Sequence, residues 1–354
     1  MKIIYFCNLP RTPSGGTNVI YRHVQQLNNM DIPAVILPSR QGIKHQQSFG
    51  HTPFISDNDI NENDYFIIPE ISAAEIASTL IPHSLGYGVF VQNGHYLSHR
   101  ARRFSEQDVD NAYQHASHIF AISNSTSAMI KLHYPNIADR IQRMVCSIDL
   151  AHFYIPAQKE KIISYMPRKN SHHANALAFA LKKHMPSDWQ LVAIDKLSLE
   201  DTAKILRKSA IFLSFSNLEG LGLPPIEAAL CGNYVIGYHG NGGLDYWCAP
   251  NFETINVGDL TDFVEKVTYR IAEIERDSSL ASLQRGIQML QQTYSLENEK
   301  RHLRQLAELA KASAAGKSNR CVSLRMQNRA GFFHSLLGRR STRNRKSGWQ
   351  ISDV

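Results

Sequence analysis

One stretch, Ala210 to Trp247, limits what this chain can fold into more than any other: A-I-F-L-S-F-S-N-L-E-G-L-G-L-P-P-I-E-A-A-L-C-G-N-Y-V-I-G-Y-H-G-N-G-G-L-D-Y-W. Ala210–Phe215 is a short apolar run of the kind that forms a strand covered on both faces. A loop with Glu219, Gly220 and Gly222 follows and is closed by Pro224–Pro225, which suit a helix's first turn because the missing N–H has no partner there. The pattern predicts a helix over Ile226–Leu230 stopped by Gly232, a strand from Tyr234 to Ile236, and a glycine turn at Gly240, Gly242 and Gly243.

A strand, glycine loop, helix and strand in that order leave the N–H groups of the helix start free for an anion. The glycines let backbone approach a ligand closely. Glu219 and Glu227 stand eight positions apart, one on the loop and one in the first helical turn. Two accepting carboxylates beside an anion-binding tip suit a ligand that carries hydroxyls and a diphosphate, as a sugar nucleotide does. G-L-G-L-P-P is not a dinucleotide fingerprint, because Pro225 sits where the third glycine belongs. Taken alone, Glu227 reads equally as an acid favoured by the helix dipole.

The segment E-G-L-G-L-P-P-I-E-A-A-L-C-G resembles the Glu-x7-Glu segment of the retaining glycosyltransferases of family 4, and the match runs on through V-I-G-Y-H-G-N-G-G-L-D-Y-W. The resemblance implies an α/β chain of the GT-B type, with two Rossmann-like parallel-sheet domains facing across a cleft. It implies that Glu219 meets the donor sugar and Glu227 the nucleotide ribose. Asn233 departs from the family's usual proline and is expected to alter only the turn.

Bulk properties agree with such a chain. A length of 354 residues suggests about two domains, and 43% hydrophobic residues can fill two cores. Five scattered cysteines without a CxxC pair argue against a disulfide framework or a zinc site and for a reducing compartment. No apolar run reaches membrane-spanning length, and M-K-I-I-Y-F-C-N-L-P reads as a first strand rather than a signal peptide. The expected location is cytoplasmic, with peripheral contact on the membrane face. The net charge of +7 is misleading, since Lys317 to Val354 holds nine Lys/Arg and one acid, a net +8 that leaves the rest near −1. The basic character thus belongs to an appendage, and no nucleic-acid partner is expected.

Along the chain, Lys2–Cys7 is a strand that feeds P-R-T-P-S-G-G-T-N and then the helical pattern V-I-Y-R-H-V-Q-Q-L. In the resembled family this loop faces the diphosphate and acceptor, which makes Gly15 and Gly16 candidates, although a plain tight turn explains the pair equally well. Asp57-Asn58-Asp59 mimics an Asp-x-Asp metal motif but lies in an Asn/Asp-rich loop and reads as a solvated turn. S-A-A-E at Ser72–Glu75 reads as a capping box. Gly88–Val91 forms a strand ending in Q-N-G-H-Y-L, and a polar cluster just past a strand's carboxyl end is where open α/β sheets bind ligands. Family members keep a polar residue here, which nominates His95, with Asn93 as runner-up. C-S-I-D-L-A-H-F, Cys146 to Phe153, resembles the family's linker.

The expected domains are 1–153 on the acceptor side, 154–293 on the donor side, a helix over 294–314 crossing back to the first domain, and a basic, disordered tail over 315–354. Arg168 and Lys169, just past a strand, resemble the family's Arg/Lys pair that neutralises the donor diphosphate, although the family spaces the two apart and here they are adjacent. With them, the helix tip near Gly222–Leu223 would carry the leaving charge, so no metal and no cofactor are expected beyond a nucleotide-diphosphate sugar as donor substrate. No side chain stands out as a nucleophile. The resemblance implies transfer with retention to a hydroxyl of a carbohydrate or lipid-linked glycan, in bacterial surface polysaccharide or glycoconjugate assembly. A sugar-nucleotide epimerase or hydrolase, or a non-catalytic sugar-nucleotide-binding subunit, shares the architecture. In the tail, cations interleaved with Phe332, Phe333, Leu336 and Leu337 suggest contact of 317–346 with an anionic inner leaflet.

Overall fold

Apolar runs of four to nine residues alternating with amphipathic segments can bury their backbone polar groups only as parallel strands covered by helices on both faces. The computed structural model describes residues 1–8, 15–39, 52–56, 59–318, 320–322 and 324, and it takes this form. Its first half contains β1 (Ile3–Cys7), α1 (Gly15–Asn28), β2 (Ala34–Pro38), β3 (Ile60–Asn61), β4 (Tyr65–Pro69), α2 (Ala73–Leu80), β5 (Gly86–Val91), α3 (Glu106–Gln114), β6 (His118–Ala121), α4 (Asn124–His133) and β7 (Ile141–Arg143). The second half contains β8 (Ile162–Tyr165), α5 (Ser171–His184), β9 (Gln190–Ala193), α6 (Leu199–Lys208), β10 (Ile211–Glu219), α7 (Leu223–Leu230), β11 (Tyr234–Asn241), β12 (Phe252–Thr254), α8 (Leu260–Arg276), α9 (Gln284–Thr293) and α10 (Leu296–Ala314), with β13 (Cys321–Val322) last.

Two parallel sheets result, one of six strands in the order β2-β1-β4-β5-β6-β7 and one of five in the order β12-β11-β10-β8-β9. In each the winding reverses once, between β1 and β4 in the first sheet and between β8 and β10 in the second. A crevice opens at such a reversal because the connections leave to opposite faces there. Both crevices face the same gap.

Several contacts hold the gap together. Asn93 Nδ2 donates to the Leu218 carbonyl at 3.2 Å, and Thr126 Oγ1 to the Gly220 carbonyl at 3.4 Å. The Asp245 carboxylate accepts the N–H of Asn124, at 3.0 and 2.9 Å, and pairs with Arg143 Nη2 at 2.9 Å. Helix α10 packs on α1, β4 and β5. Its Glu299, fully buried, takes Arg22 Nε of α1 at 3.0 Å and the Ser147 hydroxyl at 2.6 Å. Apolar packing is continuous from Tyr5 and Val24 through Phe153 and Tyr294 to Phe212, Ile236 and Leu303.

Four expectations change. The Ser72 side chain does not cap α2: a short 3-10 turn over Glu70–Ser72 satisfies the Ala73 N–H, and the hydroxyl accepts from Asn8 Nδ2 at 2.7 Å. Strands β10 and β11 run on to Glu219 and Asn241, beyond the apolar runs that mark their starts, because each pairs with the other along its polar half. Asn233 does more than alter a turn: it is fully buried and its Nδ2 donates to the carbonyls of Leu206 in α6 and Ala228 in α7, both at 2.8 Å. Finally, the chain from 315 onward is not structureless at its start. Cys321–Val322 pairs antiparallel with β3, Lys317 Nζ donates to the Ser84 carbonyl at 2.8 Å, and Leu324 is 1% exposed. The remainder of the basic segment, from 325, and with it most of the proposed membrane contact over 317–346, lies outside the described residues, as do Asp57 and Asn58. Among the described residues no helix is long and apolar enough to cross a membrane.

Asn233→Ala removes one buried donor from each of two helix-terminal carbonyls, Leu206, which keeps Lys159 Nζ, and Ala228, which keeps the backbone N–H groups of residues 231 and 233. The expected loss is about 1–3 kcal/mol of unfolding free energy, read from urea denaturation. A midpoint unchanged within error would show that the Asn233 bonds contribute nothing.

Candidate active site

Most of the chemically interesting side chains are delivered by the carboxyl end of a strand, and Glu227 by helix α7. Past β1 come Asn8 and the start of α1 at Gly15–Gly16; past β4 comes Glu70; past β5 come Gln92 and Asn93. On the opposite sheet, Arg168 and Lys169 sit in a short 3-10 turn after β8, and Glu219 ends β10. Helix α7 starts at Leu223 behind Gly222, whose φ of 79° lies in the left-handed region that glycine tolerates. Its second and third positions are Pro224 and Pro225, so the N–H groups of Gly222 and Leu223 are what this tip presents to a ligand. The Tyr246 hydroxyl steadies the turn by donating to the Gly222 carbonyl at 2.6 Å.

These residues surround one hollow of about 550 Å³ between the sheets. Arg168, Lys169, Glu219, Glu227, Gly222 and Leu223 line it from one side, and Gly15, Gly16, Glu70 and Asn93 from the other. Of the sequence candidates, His95 is the exception. It does not line this hollow but a neighbouring one, and the runner-up Asn93 takes the cleft position. The reason is local: after Asn93 caps the Gly94–Tyr96 turn through its side chain, accepting from the His95 N–H at 3.0 Å, the chain turns away from the gap. The glycines also divide by role. A Cβ on Gly220 would overlap the carbonyl of Gln92 across the gap, so that glycine serves the approach of the two sheets rather than a ligand. At Gly15 a Cβ would meet nothing within 4 Å.

Electrostatically the hollow holds two exposed cations and three carboxyls. Lys169 Nζ is ion-paired with the Glu219 carboxylate, whereas Arg168 makes no ion pair among the described residues. Burial pushes the Glu227 carboxyl up to about 7, opposed in part by the positive charge of Arg22. Burial also pushes Glu70 up to about 7, against the N–H groups of Gln92 and Asn93, which donate to its carboxylate at 3.2 and 3.0 Å. Glu70 was not singled out in the sequence. Its signal was an acid directly after the strand Tyr65–Pro69, and nothing local showed that the β5 loop would close over it. It is 4% exposed and positions that loop.

Among the described residues one cluster brings together groups able to hold a metal ion: His23, Cys146 and Glu299, all buried. Its carboxylate is already engaged by Arg22 and Ser147. Burial alone would raise Glu299, but His23, Arg22 and Ser147 outweigh it and hold the group at about 2. The cluster therefore ties α1 to α10 as a buried ion pair.

Two doubly wound sheets meeting across a cleft, with the crossing helix α10, define the GT-B fold, and the comparisons agree. The chain superimposes on sucrose-phosphate synthase from Thermosynechococcus elongatus with a TM-score of 0.65 at 13% identity, over 88% of this chain and 100% of that one. It superimposes on HepE of Anabaena, in a crystal structure with UDP, with a TM-score of 0.64 at 12% identity, over 87% of this chain and 100% of that one. At such identities the likeness establishes the fold alone. In sequence, the chain is a homologue of an alpha-1,6-glucosyltransferase of Actinobacillus pleuropneumoniae serotype 7 (strain AP76), 28% identical over 331 residues, 83% of this chain and 91% of the relative. No protein-family model matches it.

The raised Glu70 makes stability depend on pH. Its folded value of about 7 lies above the ordinary 4.5, so between these values the folded chain keeps a proton that the unfolded chain releases. This contribution is therefore present below pH 4.5 and is lost as pH rises through about 7. Glu70→Gln should gain stability relative to wild type between pH 5 and pH 8 in parallel denaturant titrations. Superimposable pH profiles would contradict the raised value.

Proposed function

We propose that the protein is a retaining glycosyltransferase that moves a sugar from a nucleotide-diphosphate donor to an acceptor hydroxyl. The observation that carries this reading is the convergence of Arg168, Lys169, Glu219, Glu227 and the α7 tip on one hollow. Breaking a glycosyl–phosphate bond leaves positive charge on the sugar and negative charge on the diphosphate. Arg168 offers a bidentate fork and Lys169 a point charge for the latter, and the Gly222 and Leu223 N–H groups extend the same field. Donor binding would separate the Lys169–Glu219 pair, freeing the cation for phosphate and the carboxylate for sugar hydroxyls. Glu227 would hold the ribose, which suits a protonated or a charged carboxyl alike because hydroxyls both donate and accept.

No metal enters this scheme, since the two cations supply the charge compensation that a divalent ion would otherwise provide. In this reading the leaving phosphate itself takes the acceptor proton, since no side chain stands out in the sequence as a nucleophile. The names of the relatives make UDP-glucose the first donor to try. We further propose a cytoplasmic, membrane-peripheral role in bacterial surface polysaccharide or glycoconjugate assembly.

Glu227→Ala and Arg168→Ala should each lower transfer by about 10²–10³-fold while the thermal midpoint holds. Transfer would be followed as UDP release in the presence of acceptor, and full activity in both variants would refute the site. Retention is checked from the anomeric coupling of the product by NMR, and metal independence from undiminished turnover in EDTA.

A further inference from the structure

After β5 the chain reads G-H-Y-L-S-H-R-A-R-R-F-S from Gly94 to Ser105, with three arginines, two histidines and no acid. Part of this segment, including His95, Tyr96, His99, Arg100 and Arg102, lines a second hollow of about 730 Å³. Tyr96, 47% exposed, lines both this hollow and the cleft, so the two adjoin at its ring. The second hollow is lined by first-half residues alone, and neither Arg168 nor Lys169 is among them.

Its charge is only partly compensated. Arg103 pairs with Glu75 at 2.8 Å, and Arg100 with Glu106 at 3.0 Å. The Glu106 side chain is 82% exposed, so an incoming anion competes with it at little cost. Arg102 has no ion-pair partner among the described residues. Burial lowers His99 and favours its neutral form, which keeps one N–H to donate. His95 Nε2 is enclosed and has no hydrogen-bond partner among the described residues. The forks of Arg100 and Arg102 with the His99 imidazole, gathered in an open hollow, offer more donors than one carboxylate can use, and they match the oxygens of a phosphate.

We propose that this hollow is an acceptor subsite for a phosphate group. The acceptor would be a phosphate-bearing glycan whose reacting hydroxyl lies in the cleft, whose next unit crosses Tyr96, and whose phosphate rests on Arg100 and Arg102. The proposal deepens the glycosyltransferase reading and depends on it for the direction in which the acceptor runs.

The test uses the full-length protein with its cleft saturated by UDP, which occupies Arg168 and Lys169. Glucose 6-phosphate is titrated by calorimetry, with glucose and inorganic phosphate as comparisons and phosphatidylglycerol vesicles as a separate arm. Glucose 6-phosphate should bind more tightly than glucose, and the double variant Arg100→Gln, Arg102→Gln should weaken it by roughly tenfold or more. UDP affinity and thermal midpoint should be unchanged, because both arginines are on the surface. Equal binding of glucose and glucose 6-phosphate, or equal binding by variant and wild type, overturns the proposal. So does a result in which only the vesicles bind in an arginine-dependent way, which would make the hollow a membrane contact. If wild type fails to bind UDP, the donor reading of the cleft fails by itself, and glucose 6-phosphate still decides the hollow.

Discussion

The two sheets can share one cleft only because backbone meets backbone where β10 ends. Gly220 lies so close to the Gln92 carbonyl that any side chain there would collide with it. Gly242 in turn packs against Gly220. Hydrogen bonds from Asn93 and Thr126 reach the carbonyls of Leu218 and of Gly220 itself. Without this approach Glu219 and Arg168 would face open solvent, and the first sheet's Glu70 would have no counterpart. The arrangement is reinforced at a distance by Asp245, which joins the start of α4 and Arg143 to the second sheet, and by Glu299, which joins α10 to α1.

Polar groups inside the gap are arranged so that each charge is provisional. Lys169 and Glu219 neutralise one another until something replaces each of them. Glu70 and Glu227 are both pushed towards neutrality by burial, for different purposes. Glu70 is spent on backbone N–H groups and shapes the β5 loop. Among the described residues Glu227 has no such partner, and it remains available to a ligand. A carboxyl whose lone pairs are already taken organises a site, whereas one left unsatisfied in a hollow is poised to bind.

Much of this was legible beforehand because the relevant signals are local. Apolar runs and glycine-proline punctuation placed β10, α7 and β11, and the motif residues lie within one strand–helix unit whose internal geometry is nearly independent of the rest. The starts of β10 and β11 were visible, but their polar ends were not, since pairing between neighbours extended them. Ser72 looked like a cap by spacing, yet a distant partner, Asn8, claims its hydroxyl. Asn233 looked like a tolerated departure, yet it clamps two helix ends. Glu70 carried no motif at all, and its importance arises from a loop more than twenty positions away in sequence.

The sequence by itself determined the alternation of strand and helix, the doubly wound character of each half, and the chemical kinds of group offered at each strand end. These follow from periodicity and backbone sterics within a few residues. Tertiary structure alone decided which strand ends face one another, that Asn93 rather than His95 enters the cleft, and that Gly220 serves contact between sheets. Such outcomes depend on the distance between segments far apart in the chain, and only packing sets that distance.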